Sequence, residues 1–285
     1  MLERLPLDFA GHRLPLDRPL IMGVLNVTPD SFSDGGRFAG RESAIGHARR
    51  LVADGADIID VGGESTRPGA ESVPLDAELE RVIPVIAAVR TELNVPVSID
   101  TSKPEVMRAA VAAGAGMIND VNGLRAPGAM DVAAASGAAV CLMHMQGTPR
   151  SMQERPQYRD VVAEVVAFLS GQAEALLARG VAQERIVLDP GFGFGKTLEH
   201  NIALFRGLST LVAIGYPVLV GVSRKSMIGS LLGDRLVTDR LMGSVTAAML
   251  AARAGARILR VHDVRETADA LAILAALGEQ ETGEI

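Results

Sequence analysis

The chain has few aromatic residues and only one cysteine. It contains no tryptophan, and aromatic residues make up only 3% of its 285 residues, so the core must be built from Ala, Val, Leu, Ile and Met. No apolar run reaches the roughly 18 residues of a membrane-spanning helix, and the first 19 residues lack the apolar segment of a secretory signal. Cys141 allows no intramolecular disulfide, and its apolar surroundings predict a buried, inert thiol. We therefore expect a cytoplasmic protein that does not associate with membranes.

Basic residues are also unevenly used. The net charge of −6 argues against a general nucleic-acid binder. Only three of the 28 basic residues are lysines, namely Lys103, Lys196 and Lys225, and each follows a predicted strand. An ordinary surface role remains open for Lys103 and Lys196.

Short apolar runs alternate with longer segments of helical period. The predicted strands are Leu20–Val27, Asp57–Val61, Val97–Asp100, Met117–Asp120, Ala138–His144, Ile186–Asp189, Val218–Val222 and Ile258–Val261. Eight apolar strands in strict alternation with eight helices predict an α/β fold, a single (β/α)₈ TIM barrel over residues 20–285. Residues 1–19 form a short N-terminal extension that flanks the barrel. An open, doubly wound sheet is the structural alternative, but it usually has fewer units.

Polar side chains recur where the strands end. They are Asn26, Asp60, Asp100, Asn119 with Asp120, His144, Asp189, Ser223 with Lys225, and Arg260 with His262. One polar strand end is commonly a helix cap, but eight are hard to explain in this way. Active sites of (β/α)₈ barrels lie at the C-terminal ends of the strands, so these side chains are expected to form one site.

The chemistry of this set indicates the type of ligand. Asp100, Asn119 and Asp189 suit the edge of a flat, nitrogen-rich heterocycle, because they can accept hydrogen bonds from ring N–H and amino groups. The cationic or potentially cationic side chains suit a phosphate or diphosphate; they are Arg67, Lys225, Arg260 and His262. Asn26 offers a neutral oxygen ligand for Mg²⁺, with phosphates and water completing the shell.

Two long loops, Thr28–Gly40 and Gly62–Pro74, follow strand ends and have no apolar periodicity. Such loops commonly close over a substrate and exclude water. An alternative is that they are disordered connections.

A family resemblance is carried by motifs that span nearly the whole barrel. They are MGVLNVTPDSFSDGG (22–36), DVGGESTRPGA (60–70), SIDTSKPEV (98–106), MINDVNG (117–123), LMHMQGTP (142–149), DPGFGFGKT (189–197), GVSRKSMIG (221–229) and RVHDV (260–264). In order and in register with the strands, they resemble the dihydropteroate synthases. This resemblance implies a transferase of folate biosynthesis that condenses 6-hydroxymethyl-7,8-dihydropterin diphosphate with 4-aminobenzoate, uses Mg²⁺, is inhibited by sulfonamides and forms a homodimer.

The resemblance also implies roles for individual residues. The pterin ring is assigned to Asp100, Asn119, Asp189 and Lys225, and the catalytic set to Asp34, Asp100, Asp189 and Lys225. The diphosphate is assigned to Thr66, Arg260 and His262, with Asn26 as the Mg²⁺ ligand. The aminobenzoate is assigned to Thr66, Arg67, Pro68, Phe194 and Ser226. The reaction implied is a dissociative substitution without a protein nucleophile.

Three other functions remain open at this stage. A pterin-binding methyltransferase barrel would share the ring-binding set but would not need STRPG or SRKS. A Schiff-base aldolase would use Lys225, with its pKa lowered by the neighbouring Arg224. A degenerate homologue would bind pterin without turnover, but it should have lost loop residues that are present here.

Overall fold

The computed structural model describes residues 6–27, 36–65, 69–70 and 72–278. It contains a two-stranded hairpin, β1 (Leu7–Phe9) and β2 (His12–Leu14), followed by eight parallel strands. These strands are β3 (Leu20–Asn26), β4 (Ile58–Gly62), β5 (Val97–Asp100), β6 (Met117–Asp120), β7 (Ala139–Met143), β8 (Ile186–Asp189), β9 (Leu219–Val220) and β10 (Ile258–Val261). Their order is β8-β7-β6-β5-β4-β3-β10-β9, and a parallel bridge between Leu188 and Val218 joins the two ends. The predicted TIM barrel is confirmed.

Helices cover the outside of the barrel. They are α1 (Gly36–Ala53), α2 (Leu75–Leu93), α3 (Pro104–Ala112), α4 (Ala129–Ala135), α5 (Val161–Leu177), α6 (Leu198–Arg206), α7 (Leu208–Val212), α8 (Ser226–Leu231), α9 (Leu241–Arg253) and α10 (Val264–Leu277). The prediction of one helix per strand was wrong in two places, because β8 and β9 are each followed by two helices. Gly207 separates α6 from α7, since helical continuity is costly at glycine. No helix of the described chain is both long and apolar enough to cross a membrane.

Alternation along each strand divides the core into two parts. Residues such as Ile59, Ile118 and Leu188 face outward and form the large apolar layer between the strands and the helices. The inward residues near the N-terminal strand ends form a second, smaller cluster inside the barrel. Its members from the strands are Leu20, Met22, Ile58, Met117, Ala139, Cys141, Val187, Leu219 and Ile258.

The N-terminal hairpin completes this inner cluster. Leu7, Phe9 and Leu16 are buried in the same cluster as the inward strand residues. Phe9 fits because position 116 is glycine, where an added Cβ would lie 2.3 Å from the Phe9 ring. The floor of the barrel is therefore apolar and closed, which leaves the opposite end for polar chemistry.

Candidate active site

The mouth of the barrel carries polar side chains at inward strand positions. Side chains of a strand alternate between the two faces of the sheet, so a residue two positions after an inward residue also points inward. Five polar residues follow an inward apolar or small residue of their strand in this way: Asp60, Asp100, Asn119, Asp189 and Arg260. The four acidic and amide residues are at most 7% exposed. Neighbouring strands align Asp100 directly with Asn119. The structure thus brings the predicted ring-binding residues together.

Arg260 bridges two of the buried carboxylates. Its Nε donates to Asp60 Oδ2 at 2.6 Å, and its Nη2 donates to Asp100 Oδ2 at 2.7 Å. Burial raises the pKa of Asp100 to about 7, against the opposing effect of Arg260 and with a further increase from Asp60. Burial acts to lower the pKa of Arg260, but Asp60 and Asp100 together raise it. The guanidinium is therefore the permanent cation that lets both carboxylates exist inside the barrel.

Two oxygen atoms of this group have no hydrogen-bond partner within the described part of the chain. They are Oδ1 of Asp60 and Oδ1 of Asp100, and both are buried. Asn119 Nδ2 donates to the other Asp60 oxygen at 3.2 Å. Buried acceptors in native proteins are normally satisfied, so both oxygens are available to accept further hydrogen bonds.

Asp189 and Lys225 form the second charged pair of the mouth. Burial raises the pKa of Asp189, and the Lys225 ammonium opposes that increase. Burial likewise lowers the pKa of Lys225 to about 8, and Asp189 acts in the opposite direction. Lys225 Nζ donates to the Phe192 carbonyl and lies 4.5 Å from the centre of the Phe194 ring. The lysine therefore links Asp189 electrostatically to the loop that carries Phe194.

Lys225 is held at the start of α8 by its neighbour Arg224. Arg224 has a left-handed backbone (φ 59°), which costs a non-glycine residue about 1–2 kcal/mol. Its N–H donates to Ser244 Oγ at 2.9 Å, and its Nε donates to Asp263 Oδ2 at 3.0 Å. The proposed effect of Arg224 on the pKa of Lys225 is not seen, because the Arg224 side chain turns away to Asp263 and burial causes the decrease.

Three further predicted site residues, Asn26, His262 and Ser226, lie at the C-terminal ends of β3, β10 and β9 or just beyond them. Asn26, the last residue of β3, is exposed, and an ideal Cβ at Gly62 would lie 3.7 Å from its Oδ1 and 3.8 Å from Asp100 Oδ2. The glycine thus keeps the space between these two side chains open. The His262 ring Nδ1 lies 3.1 Å from Ser223 Oγ, and Ser226 is exposed at the first position of α8.

Asn26 and its surroundings fit Mg²⁺ bound largely through a substrate. An amide oxygen is a suitable hard ligand, and Mg²⁺ commonly takes only one or two protein oxygens when phosphates and water supply the rest. Among the described residues, no group of three or more His, Cys, Asp or Glu side chains could hold a metal ion.

Two polar strand ends do not join the mouth, contrary to the expectation that every strand contributes. Asp120 follows the inward Asn119, so its carboxylate points outward and accepts from Ser102 Oγ at 2.7 Å and from the backbone N–H groups of Asn122 and Leu124. His144 lies beyond β7, and its Nδ1 is 3.0 Å from Lys196 Nζ. Both side chains organise loops.

A cavity of about 210 Å³ extends from Asp100 beneath the loops that follow β4 to β7. Its wall includes Glu78, a fully buried acid at the start of α2, whose Oε1 accepts from Thr101 Oγ1 at 2.7 Å. Lys103 pairs with both Glu78 and Glu64. Sequence reasoning assigned these residues no role, although Lys103 was one of only three lysines.

Four of the predicted site residues lie outside the described residues: Asp34, Thr66, Arg67 and Pro68. Their roles, like those assigned to the residues of the mouth, stay predictions.

Comparisons with known proteins agree on one kind of enzyme. Residues 22–262 match the family model described as pterin binding enzyme. The chain is 51% identical over 266 residues to the dihydropteroate synthase of Escherichia coli K12. The aligned region covers 93% of this chain and 94% of that protein. The structure of Xanthomonas albilineans dihydropteroate synthase with 4-aminobenzoic acid superposes with a TM-score of 0.91 at 52% identity, covering 97% of this chain and 99% of that one. The same enzyme in complex with 7,8-dihydropteroate gives a TM-score of 0.85 at 47% identity, over 96% and 99% of the two chains.

Proposed function

Because the chain belongs to the dihydropteroate synthase family of pterin binding enzymes, we propose how the residues of its barrel mouth divide the work of that reaction. The enzyme is a transferase that condenses 6-hydroxymethyl-7,8-dihydropterin diphosphate with 4-aminobenzoate to give 7,8-dihydropteroate and diphosphate. The methyltransferase alternative gains no support from the similar proteins. The observation that carries the assignment of roles is the buried, unsatisfied Asp100 Oδ1 at the centre of the mouth.

The pterin ring binds inside the barrel, above the apolar floor. Asp100 and Asp189 accept hydrogen bonds from ring N–H and amino groups, while Asn119 and Lys225 donate to ring acceptors. This arrangement requires an ionised Asp100 beside Arg260 and a protonated Lys225, which coexist best between the Asp100 pKa of about 7 and the Lys225 pKa of about 8. The electron-rich ring then supports positive charge that develops at the exocyclic carbon.

The diphosphate lies at the rim, beside Arg260, His262 and Thr66. The two carboxylate contacts of Arg260 use two of the five N–H donors of a guanidinium, which leaves donors for an anion. Asn26 would hold Mg²⁺, which when bound would offset negative charge on the departing diphosphate. The cationic rim performs the same task through fixed side chains, so the leaving group departs with little reorganisation of its surroundings.

The 4-aminobenzoate occupies the outer pocket beside Phe194 and Ser226, and the family resemblance adds Thr66, Arg67 and Pro68 to its contacts. Phe194 supplies an apolar ring face held against Lys225. The bond between the exocyclic carbon and the diphosphate oxygen breaks first, the arylamine then attacks the carbon, and the new secondary amine loses its proton to solvent. The segment between β3 and α1, which carries Asp34, is assigned the exclusion of water from the developing cation; the predicted loop Thr28–Gly40 was too long, because α1 begins at Gly36. Positioning and electrostatics supply most of the catalysis, and no side chain forms a bond to substrate.

The enzyme works in the cytoplasm as a homodimer. In support, several large apolar side chains of the C-terminal third are exposed: Leu231, Leu236, Met242, Leu250, Ile273 and Leu277. Single exposed apolar residues are ordinary, but several on neighbouring helices favour a contact with a second copy. Sedimentation of the purified protein as a monomer at micromolar concentration would reject the dimer.

The activity is tested by product formation. Purified protein should form 7,8-dihydropteroate and release diphosphate only when the pterin diphosphate, 4-aminobenzoate and Mg²⁺ are all present. Asp189→Ala and Lys225→Ala should weaken pterin binding in calorimetry while circular dichroism remains unchanged. Absence of aminobenzoate-dependent 7,8-dihydropteroate in the wild type would overturn the function, whereas unchanged pterin affinity in both variants would overturn only the ring-binding assignment.

A further inference from the structure

Lys196 is a buried lysine that the reaction described above does not use. It lies in the loop between β8 and α6 and is 3% exposed. Its Nζ lies 2.9 Å from the Gly191 carbonyl oxygen, 3.1 Å from that of Phe194 and 3.0 Å from His144 Nδ1. A fourth contact, to the His144 carbonyl, measures 3.3 Å. The side chain therefore turns back into its own loop, and its partners are backbone carbonyls and an imidazole.

The geometry matches an ammonium group. An ammonium has three N–H donors, and three acceptors lie within 3.1 Å of Nζ. Burial lowers the pKa of His144 to about 3, with a further decrease from Lys196, so the imidazole is neutral and its Nδ1 can accept. Carbonyl oxygens that converge on one point repel each other unless a donor or a cation lies between them. The three short contacts favour the ammonium form of Lys196 and oppose burial, which lowers its pKa to about 7.

The backbone of the loop around Lys196 packs closely against the segment that follows β7, which restricts its conformation. Gly191 and Gly195 have left-handed backbones, and a Cβ at these positions would lie 1.9 Å from the His144 carbonyl and 2.3 Å from the Gln146 carbonyl. From outside, Tyr158 donates to the Gly195 carbonyl at 2.8 Å. The loop therefore packs against the segment that follows β7, and Lys196 holds it through hydrogen bonds to the carbonyls of Gly191 and Phe194.

The fastened loop presents Phe194 to the mouth. Lys196 bonds the Phe194 carbonyl directly, and the Phe194 ring lies 4.5 Å from Lys225 Nζ. We propose that Lys196 is a positioning residue, which holds Phe194 in place as a wall of the aminobenzoate pocket without touching either substrate. This inference rests on the proposed function, in particular on the assignment of Phe194 to aminobenzoate.

The test is a double-mutant cycle of Lys196→Met with Phe194→Ala. Methionine keeps the apolar stem but has no donor. Since small misplacements at a binding wall commonly cost one to two orders of magnitude, Lys196→Met alone should raise the KM for 4-aminobenzoate about tenfold. It should change the pterin affinity less than about twofold. In the Phe194→Ala background the same substitution should change the aminobenzoate KM less than about twofold, because its effect acts through Phe194.

Arg185→Met is the matched control for a general loss of stability. Arg185 also binds a backbone carbonyl, that of Ala138, through Nε at 2.9 Å and Nη2 at 2.6 Å, but it does so near the floor. This variant should lower the melting temperature and leave the aminobenzoate KM unchanged. If Lys196→Met is insoluble, Lys196→Gln, which retains two donors, should show a smaller increase of the same KM.

The outcomes separate this inference from the proposed function. A wild type without aminobenzoate-dependent formation of 7,8-dihydropteroate would reject the function. An active wild type in which neither Lys196 variant alters the aminobenzoate KM would reject the role of Lys196 alone. An equal increase in both backgrounds would also reject it, because Lys196 would then act independently of Phe194.

Discussion

Replacing Arg260 by methionine should destabilise the fold strongly, and more so at alkaline pH. The substitution leaves Asp60, 0% exposed, and Asp100, 7% exposed, without their shared cation. Removing one partner of a buried ion pair typically costs about 3–5 kcal/mol. We therefore expect the free energy of unfolding at pH 8 to fall by about that amount.

The pH dependence follows from the pKa of Asp100. In the wild type this pKa is raised to about 7, and it would be higher still without Arg260, which lowers it. An acid whose pKa is raised on folding loses stability as the pH rises towards its folded pKa, here from about pH 4 upward. Above pH 7 the wild-type Asp100 is ionised in the folded state, so the free energy of unfolding no longer falls with pH on its account. In the variant, the free energy of unfolding continues to fall by about 1.4 kcal/mol per pH unit. The destabilisation should therefore be about 1 kcal/mol larger at pH 8 than at pH 6.

Urea unfolding followed by circular dichroism at pH 6, 7 and 8 measures this difference. Asp100→Asn, combined with Arg260→Met, is the control and should remove the dependence on pH while retaining most of the destabilisation. A loss below 1 kcal/mol at pH 8 would refute the reasoning, and so would a loss of equal size at pH 6 and pH 8.

Three further predictions concern ligands. Pterin affinity should be highest between about pH 7 and pH 8, where Asp100 is ionised and Lys225 is still protonated. It should weaken by up to about tenfold per pH unit on either side. In titration calorimetry, the Asp100→Asn variant should not show the decrease in affinity below about pH 7. Asn26→Ala should raise the Mg²⁺ concentration needed for half-maximal activity without changing the affinity for a pterin that lacks the diphosphate; an unchanged Mg²⁺ requirement would contradict the metal assignment. Phe194→Ala should raise the KM for 4-aminobenzoate about tenfold or more, since it removes a large apolar contact, and steady-state kinetics with a saturating pterin would expose an unaffected KM.

Much of the barrel could be predicted because its signals are local. Four of the eight barrel strands, at Val97–Asp100, Met117–Asp120, Ile186–Asp189 and Ile258–Val261, have the predicted bounds. Apolar runs and helical period are properties of neighbouring residues, and eight alternations leave few other folds. The doubled helices after β8 and β9 were missed, although Gly207 separates α6 from α7 and the polar segment 232–240 separates α8 from α9.

The polar strand ends were informative, but they did not decide which side chains enter the mouth. Asn119 and Asp120 are adjacent and chemically similar in the sequence, yet one lies inside the barrel and the other caps a loop. The choice depends on the phase of the strand relative to the barrel axis. An error of one residue in that phase reverses the direction of every side chain.

The sequence by itself determined the barrel, the end at which its chemistry lies and, through its motifs, the family and reaction. Only the tertiary structure decided how the charges are paired. Arg260 meets Asp60 and Asp100 across the barrel from positions 200 and 160 residues away, and Lys196 turns from the mouth into its own loop. Such pairings depend on distances between distant segments and on burial, which sets both the pKa values and the cost of an unpaired charge. Lysine and aromatic residues are scarce in the sequence, so Lys196 and Phe194 stand out there. Only the tertiary structure shows that Lys196 binds the carbonyl of Phe194.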